Sequence, residues 1–578
     1  MSDSVEQESP EQNLPSSELE SFYLTTPIYF VNSVPHLGTA YTTIAADSLA
    51  RFKRLDGKDT LFLTGLDEHG QKITQSAAAE GLTPQEWVDN IAPKFIDTWK
   101  SLGISYDGFI RTTEPRHIQA VQRFFQKLYD NGAIYKGAYK GYYCVPEETF
   151  FNDDELFEFA EKRAAEGLAA TNEAGQPLCP DCGRPLTFVE EENLYFRLSD
   201  YQQRLLDYYE ENPNFIRPEI RRNEVVAFVK GGLKDLSVSR TTFDWGVPIP
   251  FAEGHVSYVW VDALINYLTA VGYGSDSASD AEEFARRWPA QIHFVGKDII
   301  RFHCVIWPAM LMAAGIELPR QVFAHGFLLT KGEKMSKSLG NVMSPLELAE
   351  TFSVDGYRYY FLSDFQFGAD GSLTMERIIQ VYNADLANSW GNLCSRALNM
   401  TKKYLDSEVV ELWPRTDAAL TKRLGNPLRE KAETLYASYS KAMDDIDFSK
   451  AMAKVLELVD AANLYIEQTA PWSLAKEAAA ETAEAEAAGI NLDDAKAPTK
   501  NDVLDFVLYN LLESIRIAAL LFAPVMPQTS AEVWRRLGLG DPLECRDLSA
   551  ALEWGGLPSG NRVEVGDPLF PRLDADLA

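Results

Sequence analysis

Long apolar runs are absent from this 578-residue sequence, and no stretch approaches the roughly twenty residues a membrane-spanning helix needs. Positive charge is in deficit. With 54 Lys and Arg against 85 Asp and Glu, the formal net charge is -31. That balance excludes a general nucleic-acid-coating or membrane-surface protein, since nonspecific phosphate binding needs a positive surface. The first twenty residues carry no Lys or Arg, unlike a secretory or transit peptide, so a cytoplasmic protein with a disordered acidic tail over residues 1–20 is expected. Cysteine is scarce too. Six in a chain this long cannot build a disulfide scaffold, and only Cys179-Pro180-Asp181-Cys182 has metal-like spacing, leaving Cys304, Cys394 and Cys545 as packing residues.

What is present is enough hydrophobic sequence, 46%, to fill several cores, and therefore several domains. The run Lys334-Met335-Ser336-Lys337-Ser338 sets two cations among small hydroxyl residues in a Gly-flanked loop, suited to closing on a polyphosphate whose charge grows during reaction. Alone, such a run reads more readily as a solvated surface turn. A second phosphate-type element, Val34-Pro35-His36-Leu37-Gly38-Thr39, lies near the start. It follows a strand-like run at Phe22 to Thr26 and precedes a helical stripe from Thr39 to Lys53, with another buried strand from Thr60 to Gly65. Strand, turn, helix and strand make a βαβ unit, whose ligands bind at the carboxyl ends of the strands, where His36 and Asp67-Glu68-His69-Gly70 emerge.

Shorter strands and an acidic helical stretch around 153–169 then enclose the cysteines, and the sheet resumes at 291–296 and 321–326. Beyond about Asn383 long helical periods take over, notably Phe448 to Glu467 and Val503 to Phe522, with 477–500 between them read as an exposed insertion. The expected divisions are a nucleotide-binding first half (21–116), an inserted domain (117–234), the second half with the lysine loop (235–350), a linking segment (351–385), a helical domain (386–540) and a C-terminal extension (541–578).

These motifs, with Thr64 to Gly70, Gly232 to Arg240, Tyr258 to Leu264, Gly296 to His303 and Ala470-Pro471-Trp472, resemble those of the methionyl-tRNA synthetases, class I aminoacyl-tRNA synthetases, from about Phe22 to Leu537. The resemblance implies an α/β fold: a Rossmann-like parallel-sheet catalytic domain with an inserted α+β zinc-knuckle-like domain, followed by an α-helical anticodon-binding bundle. It implies ATP with Mg as cosubstrate, methionine and tRNA(Met) as partners, and no membrane. His36, Gly38, Thr39, Lys334 and Lys337 would hold ATP, with His36 and the two lysines catalytic. Thr39 stands where the family usually has a second histidine, so it would offer a phosphate a hydroxyl without imidazolium charge.

For methionine, the resemblance implies aromatic walls from Trp260, Tyr267 and His303, apolar lining from Ile28 and Leu264, and Asp67 as partner of the ammonium. Phe30 replaces a frequent tyrosine and loses one hydroxyl contact. Cys144, Cys179 and Cys182, with Glu147 in the fourth place, would either bind zinc or form a knuckle held by packing alone. Asn392, Arg396 and Trp472 match anticodon-binding positions, where an indole stacks on a base and the amide and guanidinium read its edge or hold its phosphate. The expected product is methionyl adenylate, then methionyl-tRNA. The alternatives are a non-aminoacylating tRNA-binding paralogue, suggested by Thr39, Phe30 and Glu147 departing together, and a class I synthetase for another apolar amino acid. No appended dimerisation module follows the helical segment, so a monomer is expected.

Overall fold

The computed structural model describes residues 19–32, 34–151, 153–330, 333–334, 344–412, 414–492, 495 and 497–574. The tail reading of 1–20 therefore lies, except for Leu19 and Glu20, outside the described residues, as does Lys337. The central sheet has six parallel strands: β1 (Ser21–Phe30), β2 (Asp59–Asp67), β3 (Gly108–Arg111), β4 (Ile216–Arg217), β5 (Ile292–Gly296) and β6 (Val322–His325), in the order β3-β2-β1-β5-β6-β4. The chain leaves β1 toward β2 on one side and returns at β5 on the other. That reversal opens a crevice beyond the carboxyl ends of β1 and β5. β4, from within the segment read as inserted, closes one edge of this sheet.

Helix α1 (Leu37–Leu55) follows β1 and buries Ala40, Ile44, Ala45, Leu49 and Phe52 on one stripe. The register of β1 on β2 shifts between Thr25 and Ile28, where Pro27 supplies no ladder N–H. The shift brings Pro27 and Ile28 to the crevice.

The inserted segment builds a separate antiparallel sheet in the order 149–151, 134–144, 187–196 and 236–237, with a small core of Cys144, Phe151, Cys179 and Leu186. After the central sheet, helices Pro427–Asp444, Phe448–Thr469, Pro471–Ala488 and Lys500–Phe522 form the bundle. The two long helices expected from periodicity are both present. The segment 477–500, read as an exposed insertion, is mostly exposed among its described residues, but its first half continues the helix from Pro471, and Ala478 and Ala485, seven apart, are buried. Ala and Glu are strong helix formers, and that small-residue stripe gives the Lys500–Phe522 helix a surface to approach.

The catalytic and helical halves are pinned by Arg358, fully buried on helix Val354–Ser363. Its guanidinium donates to Asp47 Oδ2 on α1 at 2.6 Å and to the carbonyls of Pro524 (3.2 Å) and Val525 (2.7 Å). The C-terminal segment folds back on the bundle, where the amides of Gly555, Gly556 and Leu557 donate to buried Glu513. No helix among the described residues is long and apolar enough to cross a membrane.

Candidate active site

A cavity of about 400 Å³ occupies the crevice, lined from the ends of β1, β2, β5 and β6, from α1 and from helix α3 (Val259–Thr269). It gathers Ile28, Phe30, His36, Gly38, Thr39, Asp67, Trp260, Leu264, Tyr267 and His303, brought together from positions far apart in the chain. The backbone of Lys334 pairs with Leu329 in a short hairpin of strands 328–330 and 333–334, which starts at the cavity-lining Leu328.

His36 is the N-cap of α1, and its Nδ1 accepts from the amides of Gly38 (3.1 Å) and Thr39 (3.4 Å). With that lone pair engaged, the neutral ring carries its proton on Nε2, so the imidazole presents an N–H beside the positive end of a helix. Gly38 leaves room for the capping ring, since a Cβ there would lie 3.0 Å from His36 Cε1 and press on the imidazole. Thr39 lines the cavity and also takes part in the cap. Its hydroxyl donates to His36 O at 2.7 Å and accepts from His36 N at 3.0 Å, which completes a capping box and uses the one hydrogen a phosphate would need.

On the opposite wall Asp67 ends β2. Burial, followed by the nearby carboxylates of Asp262, Glu148 and Glu68, pushes its carboxyl well above the usual range, although the His69 backbone N–H opposes this. Its Oδ1 is buried without a hydrogen-bond partner among the described residues, as is Trp260 Nε1. The Trp260 indole stacks on Phe302 at 3.9 Å with an interplanar angle of 10°. Tyr267 and His303 meet at 2.8 Å between Oη and Nε2, and His303 Nδ1 lies 3.0 Å from the Ile299 carbonyl. A carbonyl cannot donate, so Nδ1 carries the proton and Nε2 accepts from the tyrosine hydroxyl. Burial holds the His303 pKa down at about 4, which keeps the ring neutral and the pair intact above that pH. Phe30, without the hydroxyl of a tyrosine, has the Lys72 ammonium 5.5 Å from its ring centroid.

The thiols of Cys144, Cys179 and Cys182 lie within 4.8 Å of one another, with Cys144 and Cys182 at 3.6 Å. Tetrahedral zinc with Zn–S bonds near 2.3 Å places its sulfurs about 3.8 Å apart, so the donor set fits that ion. Hydrogen bonds from the two neighbouring thiols hold Cys182 far below the ordinary thiol range, and it is the sulfur already disposed to be a thiolate. Glu147 is not in the cluster and corrects the expected fourth ligand. It is exposed and lines the large cavity beside Pro146 and Glu148, because the turn after Cys144 carries these residues across to the Gly70–Lys72 segment.

Several lining groups were absent from the expected set. Asp298 stands at the end of β5, where a Cβ on Gly296 would fall 2.3 Å from its Oδ1, and the quoted Gly296-Lys297-Asp298 run was the available signal. His325, at the end of β6, meets Thr42 Oγ1 through Nε2 at 2.6 Å. Glu148 is buried, and that burial raises its carboxyl to about 7. No local motif marks the last two.

In the bundle, Asn392 and Arg396 share a shallow groove of about 360 Å³ with Asn388, Asp460 and Glu467. Arg396 pairs there with Glu467 at 2.6 Å, and an ion pair this exposed is easily exchanged for a phosphate. Trp472, second residue of its helix after Pro471, is 38% exposed and lies outside the lining of that groove.

A family model described as tRNA synthetases class I (M) matches residues 22–398, and a model described as the anticodon binding domain of methionyl tRNA ligase matches 417–501. The chain belongs to the methionyl-tRNA synthetases. It is 45% identical over 557 residues to a methionine–tRNA ligase of Caldanaerobacter subterraneus subsp. tengcongensis, covering 96% of this chain and 80% of that protein. It is 44% identical over 565 residues to the Streptomyces coelicolor methionine–tRNA ligase, covering 96% and 97%. The structure of Mycobacterium tuberculosis methionyl-tRNA synthetase in complex with methionyl-adenylate superposes with a TM-score of 0.83 at 41% identity, over 96% of this chain and 100% of that one. The Rossmann-like core and helical anticodon domain of that family are the architecture described above.

Proposed function

We infer that the protein is an ATP-dependent methionine–tRNA ligase, which activates methionine to methionyl adenylate and transfers the methionyl group to the 3′ end of tRNA(Met). The observation that carries this reading is one cavity bearing a helix N-terminus capped by His36 on one wall, and Asp67 with the Trp260, Tyr267 and His303 set on the other. The methionine ammonium pairs with Asp67, and its thioether lies among Trp260, Tyr267, His303, Ile28 and Leu264, a polarizable group against aromatic faces. Phe30 closes the apolar side.

MgATP enters as a substrate over Gly38. The methionine carboxylate attacks the α-phosphorus, the bond to the bridging oxygen breaks, and pyrophosphate leaves with the charge that develops there. His36 Nε2–H, Lys334 and Lys337 meet that charge, with the positive end of the α1 dipole behind His36. Thr39 contributes by holding His36 in its cap. The ribose hydroxyl of the tRNA 3′ end then attacks the adenylate carbonyl, and AMP leaves. Methionine-dependent exchange of labelled pyrophosphate into ATP tests the reading; exchange driven better by another apolar amino acid, or none at all, overturns it.

The protein acts as a cytoplasmic monomer, with boundaries near 116, 234, 350, 385 and 540 separating its catalytic halves, inserted domain, linking segment, anticodon domain and C-terminal extension. Cys144, Cys179 and Cys182 hold zinc, which would supply a structural cross-link in a domain whose own core is small. Three thiolates without Glu147 make that zinc chelator-labile, and Cys179→Ser is expected to abolish it, as read by elemental analysis of purified protein. Full zinc retention in the variant shows that the ligands lie elsewhere.

Asn392, Arg396 and Trp472 read the anticodon. Trp472→Ala is expected to lose a base-stacking platform worth about 1 to 3 kcal/mol, lowering tRNA affinity while pyrophosphate exchange stays close to normal. Normal charging by the variant removes Trp472 from the assignment.

A further inference from the structure

Asp262 lies on α3, fully buried, and uses both carboxylate oxygens: Oδ2 is 2.6 Å from His69 Nδ1 and Oδ1 is 2.8 Å from His117 Nε2. The three side chains come from α3, from the turn after β2, and from helix α2 (Pro115–Asp130), and none of them lines the cavity. Burial would raise the Asp262 carboxyl, but the two imidazoles outweigh it and hold the group at about 2. It is therefore an ionised carboxylate, and each histidine must turn an N–H toward it.

Such a cluster adds little stability over apolar packing of the same volume, because both partners lose their hydration. What it does supply is a fixed geometry between segments. His69 gives its ring N–H to Asp262, and its backbone N–H, two residues after Asp67, acts to lower the pKa of that carboxylate. On α3, Trp260, Leu264 and Tyr267 recur at helical spacing toward the cavity, while Asp262 faces away from it. One side chain thus joins the turn bearing Asp67 to the helix bearing the thioether wall. His117, whose Nδ1 also meets Thr269 Oγ1 at 3.1 Å, ties both to the helix that leads into the inserted domain.

We propose that Asp262, gripped by His69 and His117, is a positioning residue for methionine, holding the carboxylate for the substrate ammonium at a set distance from the aromatic pocket for its side chain. The proposal rests on the reading that Asp67 takes the ammonium. ATP is held mainly by the opposite wall, so the clamp acts on one substrate only.

The test is pyrophosphate exchange by the full chain. In Asp262→Asn, one histidine N–H loses its acceptor, and KM for methionine is expected to rise about tenfold or more while KM for ATP stays within about twofold. His69→Ala should reproduce that split. His69→Asn, whose amide nitrogen stands where Nδ1 does, should restore methionine KM to within about threefold of the parent. The His69 pair decides alone if Asp262→Asn does not fold. Parallel rises in both KM values, no change in either, or failure of asparagine to restore what alanine loses overturns the proposal. Asp67→Asn separates the two readings: if it leaves methionine KM unchanged, the ammonium assignment falls; if it raises KM while the clamp variants do not, only the clamp falls.

Discussion

His36→Asn is expected to slow methionine-dependent pyrophosphate exchange about a hundredfold or more, with KM for methionine nearly unchanged. The substitution is chosen because asparagine is a good N-cap: its side-chain oxygen can accept from the amides of Gly38 and Thr39 in place of Nδ1, so α1 keeps its start. What asparagine lacks is reach. The imidazole extends from the cap to carry Nε2–H, and removing one preorganised donor from a developing anion typically costs about 3 kcal/mol of transition-state stabilisation. The methionine wall, around Asp67 and Trp260, is untouched by the change. A loss confined to stability, with exchange per folded molecule at the parent rate, would show that His36 only caps the helix. Thr39→Ala is the companion control. Its hydroxyl already serves the His36 backbone, so its effect should come through cap stability and be much smaller than that of His36→Asn.

Much of this site was legible before the fold, and the parts that were not share a cause. His36, Gly38 and Asp67 sit at strand ends in a βαβ unit, which hydrophobic periodicity and turn residues reveal locally. Trp260, Leu264 and Tyr267 were expected from the resemblance alone, and the structure sets them on one face of one helix. Thr39 takes part in the helix cap as well, which was not foreseen because identity alone does not say where a hydroxyl hydrogen goes. Its position three residues after a capping side chain was the clue, and a helix start was expected there. Glu147 was misjudged because its spacing from Cys144 mimics a ligand pair, whereas the turn directs it to the cavity. The Asp262 pairings with His69 and His117 join positions 193 and 145 residues apart, and no periodicity within one element could expose them.

Asp67→Asn is expected to raise KM for methionine about a hundredfold or more, since truncating one partner of a buried charge pair costs roughly 2 to 5 kcal/mol. The amide keeps the size of the side chain and removes only the charge. The same residue should set how methionine binding depends on pH. Only the ionised carboxylate pairs with an ammonium, and the Asp67 carboxyl is held well above the ordinary range by burial, then by Asp262 from α3, Glu148 from the inserted domain's turn, and Glu68 beside it. In the parent protein KM for methionine should therefore fall as pH rises through a range above the one in which an ordinary aspartate, near 3.9, ionises. Glu148 also faces the cavity, its carboxyl raised by burial to about 7, and Glu148→Gln should move the profile without abolishing it. Removing the Glu148 charge relieves repulsion on Asp67, so the pH at which KM falls should shift downward. In Asp67→Asn the dependence should flatten, because the titrating group is gone. A profile that keeps its slope in Asp67→Asn would assign the ammonium to another carboxylate in the cavity, with Glu148 the first to examine.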